Sequence, residues 1–426
     1  MKKSLLAVAA MTAFAGAAQA QSSVTVYGIL DVGFVGSAYS GTSPSTTANA
    51  SSQGVTSAGA LSSKAQSAGF GQSAESTSRL GFKGAEDLGG GTSAIFTVET
   101  AINPDGSASA FAFNRQTFVG LKKNGMGTAA IGTQYTPIFD VMATTDAAGM
   151  NNLVGNAVYS GSLQSSTGTY NAGLAPYTSN VTNATTGNTS LNQVSSAYVT
   201  RASNALKIQS DRIGGLQGQA FYAQSNTNQT QTGAAFTGNG GVNTNTVFGV
   251  NADYVWNKLN VVAAYQSFRA YNAPATAAVA AIPTYANGTA GSIGTNATDS
   301  QTYAAATYDF GIAKGYAQYI TRKVYSDLNN NNGTQRTAYQ LGAKSFITPT
   351  ISVYATYGMG KSSYYQAGTA YANFRTAQLG SDYYLSKRTN LYVAYGSFNQ
   401  SSNGATAGGV SGVSGMNYAT GIRHTF

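Results

Sequence analysis

Read back from its C-terminus, the chain alternates. Tyr418, Thr420, Ile422, His424 and Phe426 fall on one face of an extended segment, and Ala419, Gly421, Arg423 and Thr425 fall on the other. Side chains alternate across a strand, so this spacing predicts a strand with one mainly apolar and aromatic face and one small or basic face. Comparable segments occupy Val24–Phe34, Ser78–Gly91, Ala94–Ala101, Phe111–Leu121 and Thr128–Gln134. Others follow at Ser196–Gln209, Leu216–Gln224, Thr246–Trp256, Leu259–Tyr271, Thr302–Phe310 and Ile312–Tyr325. Gln335–Thr348, Ile351–Gly360, Phe374–Ser386, Asn390–Asn399 and Gly415–Phe426 bring the total to sixteen.

The connections alternate too. Short ones fall near Asp87–Gly91, Lys122–Gly127, Ser210–Gly215, Asn257–Lys258, Gly311, Pro349 and Lys387–Thr389, and longer polar ones lie between them. The Ser/Thr/Ala/Gly stretch from Gly36 to Ser73 has no periodicity and reads as a loop. Short turns on one end, long loops on the other and an even strand count place both termini at the turn end. The pattern predicts an all-β fold, a 16-stranded antiparallel transmembrane β-barrel with short periplasmic turns and long external loops. Lipid does not tolerate an unpaired edge, so the last strand must pair with the first. A barrel this wide is not filled by side chains and leaves an aqueous channel. A soluble sandwich would instead need an apolar interior.

Composition agrees with that picture. Only 9% of residues are charged, yet there are 28 tyrosines and 18 phenylalanines, more aromatic content than a disordered chain carries. There is no cysteine, hence no disulfide. The first twenty residues form a signal peptide: Lys2 and Lys3, then an apolar run from Leu5 to Ala18, then Ala18-Gln19-Ala20 as the cleavage site. The exported chain should therefore begin at Gln21, and residues 21–426 form one barrel domain. No later apolar run reaches the ~18 residues of a membrane-spanning helix. Loss of Lys2 and Lys3 takes the formal charge from +9 to +7. The basic residues are dispersed singly, which argues against nucleic acid and for a basic lumen or a surface facing anionic lipid.

Little in the chain suits catalysis or metal binding. His424 is the one histidine, whereas a metal site needs several ligands at fixed spacing. No Gly-x-Ser-x-Gly elbow accompanies it. A ring at the membrane boundary is the simpler role. Gly89-Gly90-Gly91 lacks the Lys-Ser/Thr of a phosphate loop and reads as a turn. Neither enzyme activity nor a cofactor is expected.

Four motifs make the reading specific: Ser-Arg-Leu-Gly-Phe-Lys-Gly from Ser78, Glu-Asp-Leu-Gly-Gly-Gly from Glu86, Asn-Arg-Gln-Thr-Phe-Val-Gly-Leu from Asn114, and Gly-Thr-Gln-Tyr-Thr-Pro from Gly132. With the terminal phenylalanine on an alternating strand, they resemble the Gram-negative general diffusion porins, most closely the β-proteobacterial trimeric type. The resemblance covers nearly the whole mature chain. It implies an outer-membrane homotrimer in contact with lipid and lipopolysaccharide, passing small hydrophilic solutes and ions. It also implies an inward-folded third loop, here about residues 135–165, whose acids face wall arginines. Asp140 and Asp146 match the loop acids, and Arg79 and Arg115 match the wall arginines. A family glutamate is replaced near Met150, and a family lysine on the first strand by Ile29. Lys83, Arg201, Lys207, Arg322, Arg375 and Arg423 are further candidates for the lumen, and Tyr418, Ile422, His424 and Phe426 belong to the closing strand.

Opposed charges across a narrow gap set up a transverse field that low-dielectric walls focus. A loop short of one acid should tilt such a pore toward anions. Two other functions stay open at this point. A solute-selective channel would show a run of lumenal aromatics, and a surface adhesin would use the long Ser/Thr/Asn loops.

Overall fold

The computed structural model describes residues 23–43, 61–106, 111–159, 198–229, 241–273, 297–327, 333–364, 370–401 and 412–426. The signal peptide, and residues 160–165 of the expected inward loop, lie outside the described residues.

Seventeen strand segments make one antiparallel sheet. β1 (Ser23–Ser43) pairs with β2 (Leu61–Gln72) along its upper half and with β3 (Arg79–Gly89) along its lower half. β2 and β3 are thus two halves of one stave, parted by an insertion at residues 73–78, and the wall has sixteen staves. β4 (Thr92–Ile102), β5 (Phe111–Lys123) and β6 (Gly127–Tyr135) follow. A helix, α1 (Pro137–Thr145), opens the long third loop. The wall resumes with β7 (Arg201–Ser210), β8 (Leu216–Gln229), β9 (Gly241–Trp256), β10 (Leu259–Ala273) and β11 (Ala297–Asp309). It ends with β12 (Lys314–Ser326), β13 (Gly333–Thr348), β14 (Ile351–Tyr364), β15 (Ala370–Tyr384), β16 (Thr389–Gln400) and β17 (Gly412–Thr425). β17 pairs with β1 from Ile29↔Thr425 to Thr42↔Gly412, which closes the barrel. Phe426 extends the seam, exchanging two 3.1 Å backbone hydrogen bonds with Gly28.

Burial is inverted relative to a water-soluble protein. Neighbouring residues on one stave take opposite environments: Leu341 is 65% exposed and Gln340 1%, Leu379 58% and Gln378 0%. Apolar side chains face out and amides face in. An apolar side chain of this size gains roughly 1.5–3 kcal/mol on leaving water, so a wall of them requires lipid. Trp256, Tyr308, Phe310 and Tyr383 stand outward near the turns, and Tyr339, Tyr357, Tyr395 and Tyr418 stand outward toward the loops. These are the two aromatic girdles of a membrane barrel. Tyr418, Ile422 and Phe426 belong to the outward set, while His424 Nδ1 lies 2.9 Å from Thr389 Oγ1 at the turn end.

One sequence reading is corrected. The stretch from Gly36 to Ser73 is not all loop, because β1 runs on to Ser43 and Leu61–Gln72 pairs with it. β9, β11 and β15 likewise begin upstream of the alternating segments, at Gly241, Ala297 and Ala370. These extensions stand at the loop end, beyond the girdles. No apolar face is required there, and ladder hydrogen bonds carry the strand without leaving a period-2 signal.

The turn between β3 and β4 places Gly89, Gly90 and Gly91 at φ of +85°, +58° and +73°, which only glycine adopts cheaply in succession. At the seam, Gly33 faces Gly421, and a Cβ at Gly33 would lie 2.2 Å from the Thr420 carbonyl oxygen. Because that neighbour is backbone, Gly33→Val should destabilise the barrel by ~1–3 kcal/mol. The expected result is a lower temperature for conversion of the folded to the unfolded band in detergent electrophoresis, and an unchanged temperature would refute so tight a seam.

Candidate pore constriction

Residues 136–159 and 198–200 pack against inward-facing side chains of the wall. Pro137 sits in the first turn of α1, where a missing N–H costs nothing. Ile138, Val141, Met142 and Thr145 recur at helical spacing and form its buried face. That face packs on lumenal positions that are themselves apolar, including Val262, Ala264, Tyr303, Ala305 and Ile320 of β10 to β12. Each buried apolar side chain there contributes roughly 1.5–3 kcal/mol.

Beyond α1 the loop has little secondary structure of its own, and lumenal amides hold it. Gln266 Oε1 accepts from Ile138 N (3.2 Å) and Gln301 Oε1 accepts from Val199 N (2.8 Å). Gln340 Oε1 accepts from Ala157 N (2.8 Å), and Gln378 Nε2 donates to the carbonyls of Leu153 and Val154 (both 3.0 Å). Asn417 Oδ1 accepts from Val154 N (3.1 Å). Arg336 Nη2 donates to the Ala157 carbonyl (2.6 Å). The insertion between β2 and β3 completes the track, with Asn152 N donating to Ala74 O (3.0 Å) and Asn152 Nδ2 to Ser73 O (2.6 Å). The loop therefore lines the wall from β8 round to β17.

The remaining arc, β3 to β7, carries a basic cluster around one carboxylate. Arg115 Nε lies 2.6 Å from Glu99 Oε1, and Arg79 Nη1 lies 3.9 Å from the same oxygen. Tyr27 OH donates to Glu99 Oε2 (3.0 Å), and Arg115 Nη2 donates to Tyr135 OH (2.7 Å). The Arg201 guanidinium lies 5.1 Å from the centre of the Tyr135 ring, whose other side stacks on Phe139 at 4.1 Å. Among the described residues, Arg79 and Arg115 thus share one carboxylate, and Arg201 joins them through Tyr135.

Strict alternation would put Arg115 with Thr117, Val119 and Leu121 on the lipid face. The ladder prevents this. Thr100 pairs with Asn114 and Glu99 with Gln116, so Arg115 is the extra residue of a β-bulge, and the bulge turns its side chain inward.

The loop acids have other partners. Asp140 Oδ2 is ion-paired with Lys207 Nζ of β7 (2.5 Å) and accepts from Gln219 Nε2 of β8 (3.0 Å). Asp146 is buried at the C-terminal end of α1, where it accepts from Met150 N (2.7 Å), Asn156 Nδ2 (3.1 Å) and Gln340 Nε2 (3.2 Å). Burial raises its carboxyl pKa, against the lowering effect of those donors. Of the further basic candidates, Lys83 lies over the Tyr27 ring at 5.2 Å, Arg423 Nη1 pairs with Glu75 (2.9 Å), and Arg322 pairs with Asp299 (2.6 Å), both wholly buried. Arg375 departs from expectation. It pairs in register with Met359 and Asn399, both exposed, while its neighbours Phe374 and Thr376 are buried, so it faces outward. It stands above the outer girdle, where an outward cation escapes the midplane penalty.

Sequence reasoning missed Glu99, Tyr135 and the amide track. Glu99 shares the inward face of β4 with Ser93, Ile95, Thr97 and Ala101, and the amides recur at lumenal positions on most strands from β10 to β17. Both signals are in the chain, but what they contact is not.

Comparison with known proteins follows the same line. The family model described as Gram-negative porin matches residues 7–403. Outer membrane porin protein 32 of Delftia acidovorans is 39% identical over 149 residues, 34% of this chain and 35% of that protein. An outer membrane porin protein of Bordetella pertussis is 28% identical over 411 residues, covering 93% of this chain and 94% of its own length. Among solved structures, the anion-selective porin from Comamonas acidovorans superposes with a TM-score of 0.61 at 24% identity, covering 95% of this chain and all of that one. OmpT of Vibrio cholerae superposes at 0.55 with 14% identity over 95% of this chain and 98% of that one. At these identities the superpositions establish the fold.

If the amide track holds the loop, Gln340→Leu with Gln378→Leu leaves loop N–H and C=O groups unpaired, at about 1–3 kcal/mol each. Single-channel recording should then show a larger and noisier conductance from a barrel that still runs as the folded band in detergent electrophoresis. A quiet conductance of wild-type size would refute the track.

Proposed function

Since the chain belongs to the Gram-negative porin family, we propose that it passes small hydrophilic solutes and ions across the outer membrane with a preference for anions set by Arg79, Arg115 and Arg201. The observation that carries this reading is the gathering of Arg79, Arg115 and Arg201 on one arc of the wall, where Glu99 is the carboxylate that the described residues place against Arg79 and Arg115. Asp140 and Asp146 do not offset it, being occupied by Lys207 and by the loop itself. In a narrow, low-dielectric passage, unbalanced positive charge raises the local anion concentration and repels cations. The anion selectivity of the Comamonas porin supports the same reading. A second reading, preference among organic solutes, is favoured by the aromatic side chains about the cluster: Tyr135 stacked on Phe139, and Tyr159 at 6.4 Å from Tyr198.

Under a KCl gradient across planar bilayers, the reversal potential should report anion preference. Glu99→Gln should strengthen it, and Arg115→Ala with Arg201→Ala should weaken or reverse it. Cation preference in the wild type would overturn the proposal. Saturable uptake of one solute in liposome swelling would favour the second reading.

The assembled form belongs to the same proposal. Export with cleavage after Ala20 and assembly as a homotrimer embedded in lipid and lipopolysaccharide are what the family resemblance implies. Native mass spectrometry of protein extracted from outer membranes should find three chains per particle, each beginning at Gln21. A monomer, or a retained N-terminus, would refute the corresponding part.

A further inference from the structure

We propose that the outward face of β13 to β15, just above the outer girdle, is a binding site for a phosphorylated glycolipid of the outer leaflet, with Lys361 and Arg375 as its phosphate ligands. The proposal rests on the reading above that this wall faces outer-membrane lipid.

The first observation is placement. Register pairs Lys361 with Asn373 and Met359 with Arg375, so the two cations are diagonal neighbours on adjacent staves, ~7–8 Å apart at Cα. Both side chains are exposed and both point away from the lumen. Neither faces the passage, and they sit where lipid headgroups begin, immediately above Tyr339, Tyr357 and Met359.

The second observation is charge. Beyond Asp327, from Leu328 to the C-terminus, the sole acidic residue is Asp382. Asp382 points into the lumen, buried, within reach of Lys344 Nζ at 3.4 Å. The outward face of this arc therefore presents cations with no carboxylate among them. Arg269, an outward arginine of β10, differs in being paired to Asp327 at 3.1 Å. An unbalanced basic surface at headgroup level attracts anionic lipid.

The third observation is shape. Thr337, Tyr339, Met359, Lys361, Arg375 and Asn399 line a surface groove of ≈ 670 Å³. Through Arg375 and Asn399 it adjoins a second groove of ≈ 540 Å³ that carries Ser40, Ser397 and Ser414. Hydroxyls and amides beside two cations suit a sugar bearing phosphate, and the apolar wall below, with Leu341 and Leu379, suits its acyl chains. A plain phospholipid headgroup would use the charge but leave the hydroxyl-lined groove empty.

The test uses the mature chain refolded in detergent and titrated with a fluorescent bis-phosphorylated lipid A. Wild type should bind. Lys361→Glu with Arg375→Glu should weaken binding at least roughly tenfold, as two reversed charges require. The same variant should keep wild-type single-channel conductance, because neither side chain faces the pore. Should it fail to fold, Lys361→Gln with Arg375→Gln takes its place, with the same expected direction. Equal lipid A binding by wild type and variant overturns the site. Full displacement by millimolar inorganic phosphate, or equal affinity for phosphatidylglycerol, overturns the assignment to a glycolipid. Absence of conductance in the wild type strikes the channel reading instead, and the lipid titration reads independently of it.

Discussion

The backbone N–H and C=O groups of the membrane-spanning wall must find their partners without help from bulk water on the lipid side. In the wall, the ladder between staves and the β1–β17 seam meet that requirement, as they must in lipid. Inside the barrel, a chain segment that belongs to no ladder has the same need. Buried polar groups left unpaired cost more than a made hydrogen bond returns. The lumenal amides answer it. A glutamine both donates and accepts, so Gln266, Gln301, Gln340 and Gln378 can serve either backbone group of the loop without bringing a charge into a confined space. The position of the loop, and with it the bore of the channel, follows from those side chains.

That arrangement divides the lumen into two chemically distinct arcs. One, from β8 to β17, is covered by the loop and is largely neutral at the contact, with its ion pairs closed on themselves as in Arg322–Asp299. The other, from β3 to β7, keeps its arginines together around Glu99. The passage therefore has a charged side supplied by the wall, and the loop opposes it with aromatic and amide groups more than with carboxylates. On the proposed reading, selectivity would be a property of wall residues, and the loop would set how close a solute must come to them.

The outer surface repeats the theme of matching each level to its solvent. Aliphatic side chains cover the hydrocarbon depth, aromatic rings mark its two edges, and cations appear outward above the upper edge. Arg375 and Arg115 illustrate how a stave is read. They are both arginines on barrel strands, and their faces are decided by register and by a bulge, not by residue type.

The chain by itself determined the class of structure. The alternation on staves such as Leu259–Tyr271 and Asn390–Asn399, the alternating loop lengths and the terminal strand ending in Phe426 are local consequences of a wall with lipid on one side and water on the other, so they are written in short stretches of residues. The motifs around Arg79 and Arg115 named, by family resemblance, two arginines that lie against Glu99. What only the tertiary structure decided involves residues far apart in sequence. The bulge that turns Arg115 inward exists only in the ladder with β4. Asp140 and Asp146 found partners on β7 and β13 rather than the wall arginines, because α1 lies where the apolar lumenal patch of β10 to β12 accepts it. The strand extension through Leu61–Gln72, lacking any apolar face, is visible only as pairing with β1. Period-2 patterning records which solvent a side chain meets, and it holds no information about which distant backbone or carboxylate shares that space.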